Sequence, residues 1–328
     1  MPDTILGSWV DLRRNWADFP FESTMLDADK PQLISRVTQV LEPREETWTL
    51  YLMRDMTREQ FGALADMTMM DRSLRDNQDA AVFIRSDGDA MIYVHQEDHL
   101  LIRVKAIDAD VTRAVQEAKG IARLIAQTGA YAKDERIGWL TARPQYAGTG
   151  LQVTYLMHLP MLSMMQQLKG IAAKMSGEHR FSLSAQTQGD KNPANLYLLK
   201  NLFTAYGGTD ELTAAVGAVA DELTAKEDNL RRKVLNNTSR STYVDQVFRA
   251  YGILRYARRL TEAEFMAYWS KLRLGAMAGL LPADKAAIDS LLAQTSKNQL
   301  MQQIDSSMDE HTIHFIRADV VRAALNGG

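Results

Sequence analysis

The amino-acid sequence predicts an α+β protein, in which an antiparallel sheet flanked by helices is followed by an all-α C-terminal domain. Apolar runs at 80–84 and 91–95 flank the turn Asp87-Gly88-Asp89, which is typical of a β-hairpin. Segments 57–75, 110–126 and 210–234 carry apolar residues along one helical face. A polar segment, 235–241, precedes a region in which every predicted element is helical.

These patterns give a first domain of residues 1–234 and a helical domain of residues 235–328. The predicted strands are 47–54, 80–84, 91–95, 99–107, 137–142, 151–159, 180–185 and 196–203. Further helices are predicted at 161–175, 243–259, 298–306 and 316–325, with two more that begin near Thr261 and near Pro282. Thr261 and Glu264 have the spacing of a capping box.

Composition excludes several classes of function. The 328 residues are 46% hydrophobic and 24% charged, which fits a soluble globular protein with a sizeable core. The net charge of −3 gives no general attraction to nucleic acid or to an anionic membrane. The chain has no cysteine, so disulfides, thiolate metal ligands and cysteine nucleophiles are excluded. No signal-peptide pattern and no apolar run of about 20 residues occur, so we expect a cytoplasmic protein. We also expect no metal site.

The stretch 137–154 reads as a strand, a loop and a second strand. Its loop contains Gly148-Thr149-Gly150, small residues that let a backbone approach an anion closely. Arg143 and Gln152 stand beside them as possible donors. An ordinary connection between strands has the same composition, so the loop alone does not choose between these interpretations.

The wider frame of this loop resembles the ATP:guanidino phosphotransferases, the phosphagen kinase family of creatine kinase, arginine kinase and the bacterial protein-arginine kinase (McsB-like). Their pattern Leu-Thr-Ala-Cys-Pro-x-Asn-x-Gly-Thr-Gly-Leu-Arg-Ala stands here as LTARPQYAGTGLQV at 140–153. The bacterial His-Leu-Pro follows at 158–160. The cysteine of the pattern is Arg143 here, and its phosphate-binding arginine is Gln152. The resemblance implies the guanidino-kinase catalytic fold.

The N-terminal segment 7–21 resembles the family's entry motif, Ser-Ser-Arg-x-Arg-Leu-Ala-Arg-Asn followed by Phe-Pro-Phe. In relatives the first two arginines of this motif hold ATP phosphates, and here they are Trp9 and Asp11. A carboxylate facing a polyphosphate repels it. Taken without the family, the segment indicates only a polar stretch before a strand or turn.

The segment 95–102 resembles the family motif Asn-Glu-Glu-Asp-His-Leu-Arg-Ile. Glu97 matches the glutamate that orients and deprotonates the guanidinium substrate in relatives, whereas Leu101 replaces a phosphate-binding arginine. Arg103 lies two residues further along the same strand face and is a possible substitute for that charge. A solvated hairpin end is the alternative interpretation of this segment. In relatives a further phosphate-binding arginine lies on a loop near the end of the sheet, and its position falls near Ser184 here.

The C-terminal region resembles the bacterial branch. Segments 249–258 and 270–275 match its helical domain, and 318–323 resembles its Arg-Asp-x-x-Arg-Ala motif, which forms a phosphoarginine pocket in relatives. Asp319 and Arg322 are one helical turn apart, so a carboxylate and a guanidinium can face the same side. Ala318 replaces the first arginine. A surface Asp–Arg pair is the alternative.

Trp9, Asp11, Leu101, Gln152 and Ser184 thus occupy the five ATP-phosphate positions, and none of them is basic. The resemblance therefore implies a catalytically degenerate kinase that acts by binding a protein partner. The partner we expect is an arginine-phosphorylated protein or a kinase paralogue, and we expect the chain to form a homodimer. One alternative is an active phosphotransferase using ATP and Mg²⁺, with Arg14, Arg103, Arg143 and Arg180 supplying the charge. Another is a structural subunit that dimerises through the C-terminal helices.

Overall fold

The computed structural model describes residues 3–44, 47–68, 70, 72–177, 180–186, 191–204, 207–235, 242–282, 284–303 and 309–326. Its strands are β1 (Ile5–Arg14), β2 (Trp48–Leu52), β3 (Ala81–Arg85), β4 (Ala90–Val94), β5 (Leu100–Lys105), β6 (Lys133–Asp134), β7 (Gly138–Trp139), β8 (Leu151–His158), β9 (Phe181–Ala185) and β10 (Leu196–Asn201). Its helices are α1 (Lys30–Leu41), α2 (Arg58–Thr68), α3 (Val111–Ile125), α4 (Pro160–Met164), α5 (Leu168–Gly177), α6 (Thr209–Leu235), α7 (Thr242–Tyr256), α8 (Glu262–Met277), α9 (Lys285–Gln294), α10 (Lys297–Gln303) and α11 (Glu310–Asn326).

Eight strands form one antiparallel sheet in the order β2-β3-β4-β5-β1-β8-β10-β9. The N-terminal strand β1 lies near its centre, between β5 and β8. The interpretation of this segment as a polar stretch before a strand was therefore wrong. The strand was missed because polar residues such as Asp11 and Arg13 are buried on one of its faces, whereas Val10 and Leu12 point into the core on the other.

Helices α1, α3, α5 and α6 cover the Val10 face of the sheet and form the main core with it. Helix α3 shows why the sequence folds this way. Its apolar residues recur every three or four positions and are buried against β1 and β5. Asp110 caps it by accepting a hydrogen bond from the Arg113 amide at 3.0 Å. The α+β class and the antiparallel sheet flanked by helices are confirmed.

The predicted strand at 137–142 was wrong. Only Gly138 and Trp139 pair, with β6, in a two-stranded ribbon outside the main sheet. Gly138 has a φ of +96°, and a Cβ there would lie 2.7 Å from the Gly148 carbonyl oxygen. The Trp139 amide donates to the Gly148 carbonyl oxygen at 2.9 Å, and the Gly148 amide donates to the Trp139 carbonyl oxygen at 3.0 Å. These hydrogen bonds hold the segment against the following loop and away from the main sheet.

The C-terminal region is helical, as predicted, from α7 to α11. Its helices pack on the sheet face opposite α3, over Trp9, Leu156 and Leu196. The predicted linker was 235–241, and its residues 236–241 lie outside the described residues. The boundary at residue 235 stays a prediction.

A fully buried arginine fixes this region to the sheet. The Arg273 guanidinium donates to Asp289 at 2.6 Å, to His158 Nδ1 at 3.1 Å and to the Asp3 carbonyl oxygen at 2.7 Å. Burial, followed by the charge of Arg273, holds the pKa of His158 well below its usual value. Since an arginine only donates, Nδ1 accepts, and Nε2 donates to Ser270 Oγ at 2.8 Å. In the described part of the chain, no helix is long and apolar enough to cross a membrane.

Candidate functional site

Alternate residues of three neighbouring strands form the floor of a cleft on the sheet face opposite α3. The register places Asp11 of β1 between Arg103 of β5 and Gln152 of β8, and it places Arg13 opposite Leu101. These five side chains line one cavity of about 380 Å³. The sheet thus brings together three positions that sequence reasoning assigned to the ATP phosphates, namely Asp11, Leu101 and Gln152.

A buried ion pair occupies the middle of this floor. Arg103 Nε and Nη2 donate to the two carboxylate oxygens of Asp11 at 2.7 and 2.8 Å. Burial raises the pKa of Asp11, but the charge and hydrogen bonds of Arg103 outweigh it and hold that pKa below its usual value. Asp11 is therefore ionised and neutralises Arg103. The role of Arg103 as a substitute for a missing phosphate-binding arginine stays a prediction.

A second ion pair lies at the mouth of the cleft, where an Arg143 guanidinium nitrogen donates to a carboxylate oxygen of Glu97. Both side chains are about half exposed. The neighbouring Asp98 is buried and accepts from Asn15 Nδ2 and from the Ala142 amide, each at 2.7 Å. Asp98 therefore links the segment that contains Glu97 to the segment that contains Arg143. This link brings the Glu97 and Arg143 side chains together.

Two other assigned positions lie further away. Trp9 is buried and lines an adjoining cavity. Ser184 lies in β9 with an exposed side chain and lines neither cavity. The loop expected to carry the last phosphate clamp includes residues 187–190, which lie outside the described residues.

Two basic residues on the same sheet face were missed by the sequence reasoning. Arg13 places its guanidinium 3.8 Å from the centre of the Tyr146 ring and its Nε 3.7 Å from Asp98. Its Nη1 has no hydrogen-bond partner in the described chain. Lys200 of β10 lines both cavities. The available signal was the two-residue step from Asp11 to Arg13, which is informative only once β1 is known to be a strand.

The Gly148-Thr149-Gly150 loop packs against the backbone of other segments of the chain. Gly150 has a φ of +67°, and a Cβ there would lie 2.7 Å from the Arg13 carbonyl oxygen. Arg14 donates to the Arg13 and Thr149 carbonyl oxygens, and burial lowers its pKa to about 10. The Gly148 and Thr149 amides donate to Trp139 and Thr204. These contacts fit the interpretation of the loop as a connection between strands.

The predicted C-terminal pair forms as the helical spacing requires. Arg322 donates to Asp319 on the same side of α11 and to the Ala257 carbonyl oxygen. Asp319 is largely exposed, whereas Ala318 is fully buried in the helical core. Among the described residues, no group of three or more His, Asp or Glu side chains has the geometry of a metal site.

Comparison with known families decides which family the chain belongs to. A profile described as the C-terminal catalytic domain of ATP:guanido phosphotransferase matches residues 31–230, which is more than half of the chain. The chain belongs to the ATP:guanido phosphotransferase family. A second profile, the C-terminal domain of the protein-arginine kinase McsB, matches residues 240–327.

Relatives of this family member span nearly its full length. It is 27% identical to the protein-arginine kinase of Caldanaerobacter subterraneus subsp. tengcongensis, covering 99% of this chain and 97% of that one. It is 29% identical to the protein-arginine kinase of Symbiobacterium thermophilum, covering 99% and 94%. The recognised resemblance to the bacterial protein-arginine kinases is confirmed.

Solved structures agree on the fold. A crystal structure of lombricine kinase has a TM-score of 0.61 at 17% identity, covering 71% of this chain and 68% of that one. The duplicated taurocyamine kinase from Schistosoma mansoni also scores 0.61, at 15% identity, covering 94% of this chain and 40% of that one. At these identities the likeness concerns the fold alone.

Proposed function

We propose that this member of the family is a protein-arginine-kinase-like pseudokinase, which acts as a binding, scaffold or regulatory protein. The observation that carries the proposal is the Asp11–Arg103 ion pair in the floor of the cleft. A carboxylate stands where relatives carry a phosphate-binding arginine, and it neutralises the nearest arginine on the adjacent strand.

The free energy contributed by phosphate-binding arginines favours a loss of nucleotide binding in this chain. Phosphoryl transfer depends on positioning and on stabilisation of charge, and loss of a key arginine costs roughly 10³–10⁵ in rate. A charge-assisted hydrogen bond contributes about 1.5–3 kcal/mol. Losing four or five of them removes on the order of 6–15 kcal/mol from the binding of a polyphosphate, before non-additivity. Glu97 cannot compensate, because a base has no role without a bound phosphoryl donor.

The Arg143–Glu97 contact also supports the proposal. The chain's own guanidinium lies against the carboxylate that matches the substrate-orienting glutamate of relatives. A cation held there repels a second guanidinium and occupies its partner. The position of a guanidinium substrate is thus blocked by a residue of this chain.

Calorimetry with Mg·ATP tests the proposal, with an active protein-arginine kinase titrated in parallel. We expect no heat of binding from this chain at nucleotide concentrations that saturate the active enzyme. Micromolar binding of Mg·ATP would contradict the proposal.

Recognition of arginine-phosphorylated protein is the function we propose for the C-terminal pair. Asp319 offers an exposed carboxylate for a guanidinium, and Arg322 offers a guanidinium for a phosphoryl group. Titration with phosphoarginine should give saturable binding that Arg322→Ala abolishes. Arg249→Ala is the control, because Arg249 also pairs with a carboxylate on its own helix but lies outside the motif. No binding by the unaltered chain would remove this part of the proposal.

An active phosphotransferase is the second candidate, and Arg13 and Lys200 favour it. Both line the cleft, and Arg13 retains a guanidinium nitrogen without a partner in the described chain. Incubation with radiolabelled ATP, Mg²⁺ and an arginine-rich protein tests this candidate. Acid-labile label on the protein that disappears with Glu97→Gln would establish it, and absence of label would exclude it.

We further propose that the protein is cytoplasmic and forms a homodimer through its C-terminal helices. The proposal draws on the bacterial protein-arginine kinases to which it is similar. Exposed apolar side chains on α7 and α11 support the dimer, namely Phe248, Ile253, Tyr256 and Phe315.

A further inference from the structure

Two helical layers lie side by side on the sheet face that carries the cleft. Helix α2 packs with β3, β4 and Leu101 in one apolar cluster. The C-terminal helices pack over Trp9, Leu156 and Leu196 in another. Among the described residues the two clusters are separate, so each layer is held to the sheet by a core of its own.

The two layers meet where α10 contacts α2. Gly62 and Asp66 are one turn apart on the same side of α2. Asn298, in the first turn of α10, donates to Asp66 Oδ2 at 2.9 Å. An added Cβ at Gly62 would lie 2.7 Å from the Asn298 side-chain oxygen, so the helices touch at this glycine. Asp66 and Asn298 also line the cavity at the Trp9 end of the cleft. We call the contact of Gly62, Asp66 and Asn298 the clasp.

Each half of the clasp is anchored in its own layer. Phe61 and Ala65, which neighbour the two α2 residues of the clasp, are buried in the α2 cluster. On the other side, the Thr295 carbonyl just before α10 accepts a hydrogen bond from the buried Arg317 of α11 at 2.9 Å. Asn298 is therefore held by the C-terminal helices and reaches across to the other layer.

The clasp is polar, whereas the cores on either side of it are apolar. Its hydrogen bond can be exchanged for hydrogen bonds to water at a modest net cost. Separation of α2 from α10 leaves the apolar residues of both clusters packed on the sheet. Proteins open locally where few apolar groups are buried, so the structure favours opening at this contact.

We propose that the clasp is a reversible closure between the two helical layers, and that it sets how far the Trp9 end of the cleft opens. In the open state Asn298 exchanges Asp66 for water, and α2 moves away from the C-terminal helices. The clasp acts on the width of the cleft, so it does not depend on whether the cleft binds a nucleotide. Because α10 belongs to the C-terminal helices, the clasp couples this region to the cleft.

A disulfide tests the closed state. The chain has no cysteine, so introduced thiols have no competing partner. A Cβ at residue 62 would lie 2.8 Å from Asn298 Cγ, and therefore within about 4.3 Å of Asn298 Cβ, because one C–C bond adds about 1.5 Å. Disulfides join Cβ atoms about 3.5–4.5 Å apart. We expect Gly62→Cys with Asn298→Cys to form an intramolecular disulfide on mild oxidation. Gly120→Cys with Asn298→Cys should form none, because Gly120 lies on α3, which covers the opposite face of the sheet.

Distances between two spin labels, measured by pulsed electron paramagnetic resonance, test the open state. Arg58→Cys on α2 and Gln294→Cys on α9 place the labels at exposed positions of the two layers. We expect one main distance and a minor, longer one. Asn298→Ala removes the hydrogen bond and should raise the longer population about fivefold. Gly62→Val pushes Asn298 away and should have the same effect. Gly120→Val is the control, because nothing lies within 4 Å of an added Cβ there.

Two outcomes would overturn the proposal. Failure of the cysteines at 62 and 298 to cross-link would show that α2 and α10 do not meet in solution. The same single distance in the unaltered chain, in Asn298→Ala and in Gly62→Val would show that the contact does not open. Urea unfolding checks that each variant folds, and if Gly62→Val does not, the milder change Asn298→Ala decides. Neither measurement uses a nucleotide, so their failure is distinct from failure of the proposed function.

Discussion

Asp11 lies directly across from Arg103 on the neighbouring strand, and its carboxylate accepts two hydrogen bonds from that guanidinium in the floor of the cleft. Both side chains are about nine-tenths buried. The buried carboxylate offsets the charge of Arg103 at this point of the cleft floor. Breaking the pair would leave an uncompensated charge at the centre of the sheet. We propose that the pair also weakens the attraction of the cleft for polyphosphate.

Asp11→Asn should separate these two effects. Removing one partner of a buried ion pair leaves the other charge uncompensated, so we expect a loss of about 3 kcal/mol in the free energy of unfolding. The positive charge of Arg103 would then be available to ligands, and the affinity for pyrophosphate should rise about tenfold. Urea unfolding and calorimetry measure the two quantities. Asp245→Asn is the control, because Asp245 forms a largely exposed pair with Arg249 and should change stability by less than about 1 kcal/mol. Unchanged stability in Asp11→Asn would contradict the role of the pair.

Arg143→Ala should expose Glu97 to cationic ligands. The pair is about half exposed, so its loss should change stability by less than about 1 kcal/mol. Affinity for arginine methyl ester, measured by calorimetry, should rise several-fold because Glu97 loses its internal partner. Arg143→Lys keeps the charge and should bind the ester no better than the unaltered chain. A gain that persists after the further change Glu97→Gln would show that the ester binds elsewhere.

Glu227 should make stability depend on pH. Burial raises its pKa to about 7, even though the Met161 and Leu162 amides donate to its carboxylate at 2.7 and 2.9 Å. A carboxyl with a raised pKa holds its proton to a higher pH in the folded chain than in the unfolded chain. Its favourable contribution is therefore full below about pH 4.5 and is lost as the pH rises to about 7.

Thermal and urea unfolding across pH 4.5–7 measure this effect. Relative to Glu227→Gln, the unaltered chain should lose up to about 3 kcal/mol over this range, since one pKa unit is about 1.4 kcal/mol. Glu222→Gln is the matched control on the same helix, because Glu222 is exposed and pairs with Lys226. Parallel stability curves for the unaltered chain and Glu227→Gln would show that Glu227 is not the source of the dependence.

Phe248 and Phe315 should stabilise the proposed dimer. Both side chains are 50% exposed on the C-terminal helices α7 and α11. A double change, Phe248→Glu with Phe315→Glu, should convert a dimer into a monomer because buried charges without partners destabilise an interface. Light scattering after size-exclusion chromatography gives the mass. Phe203→Glu alters an exposed aromatic residue of the sheet domain and should leave the dimer intact. A monomeric unaltered chain would contradict the dimer itself.

Local patterns predicted much of the fold. The hairpin turn at Asp87-Gly88-Asp89 joins β3 to β4, and the capping box of Thr261 and Glu264 begins α8. Helix α6 runs over Thr209–Leu235, close to the predicted 210–234. In each case neighbouring residues along the chain determine the structure, through turn conformation, capping or one-sided burial.

Local patterns failed where the outcome depends on distant contacts. Strand β1 was missed because its polar residues are buried only after β5 and β8 have assembled beside it. Helix α1 was not predicted. The segment 137–142 has the composition of a strand, but the backbone of Trp139 forms its hydrogen bonds with Gly148 in the following loop. No pattern within a short window reports such contacts.

The sequence by itself determined the family and the α+β class, and it showed that none of the five positions we assign to the ATP phosphates is basic. These follow from residue identity and from short-range order along the chain. Only the tertiary structure decided that Asp11 pairs with Arg103 and that Arg143 pairs with Glu97. It also decided that Arg13 and Lys200 line the same cleft. Sheet register brings side chains about 90 positions apart into contact, and the net charge of a site depends on which of them meet.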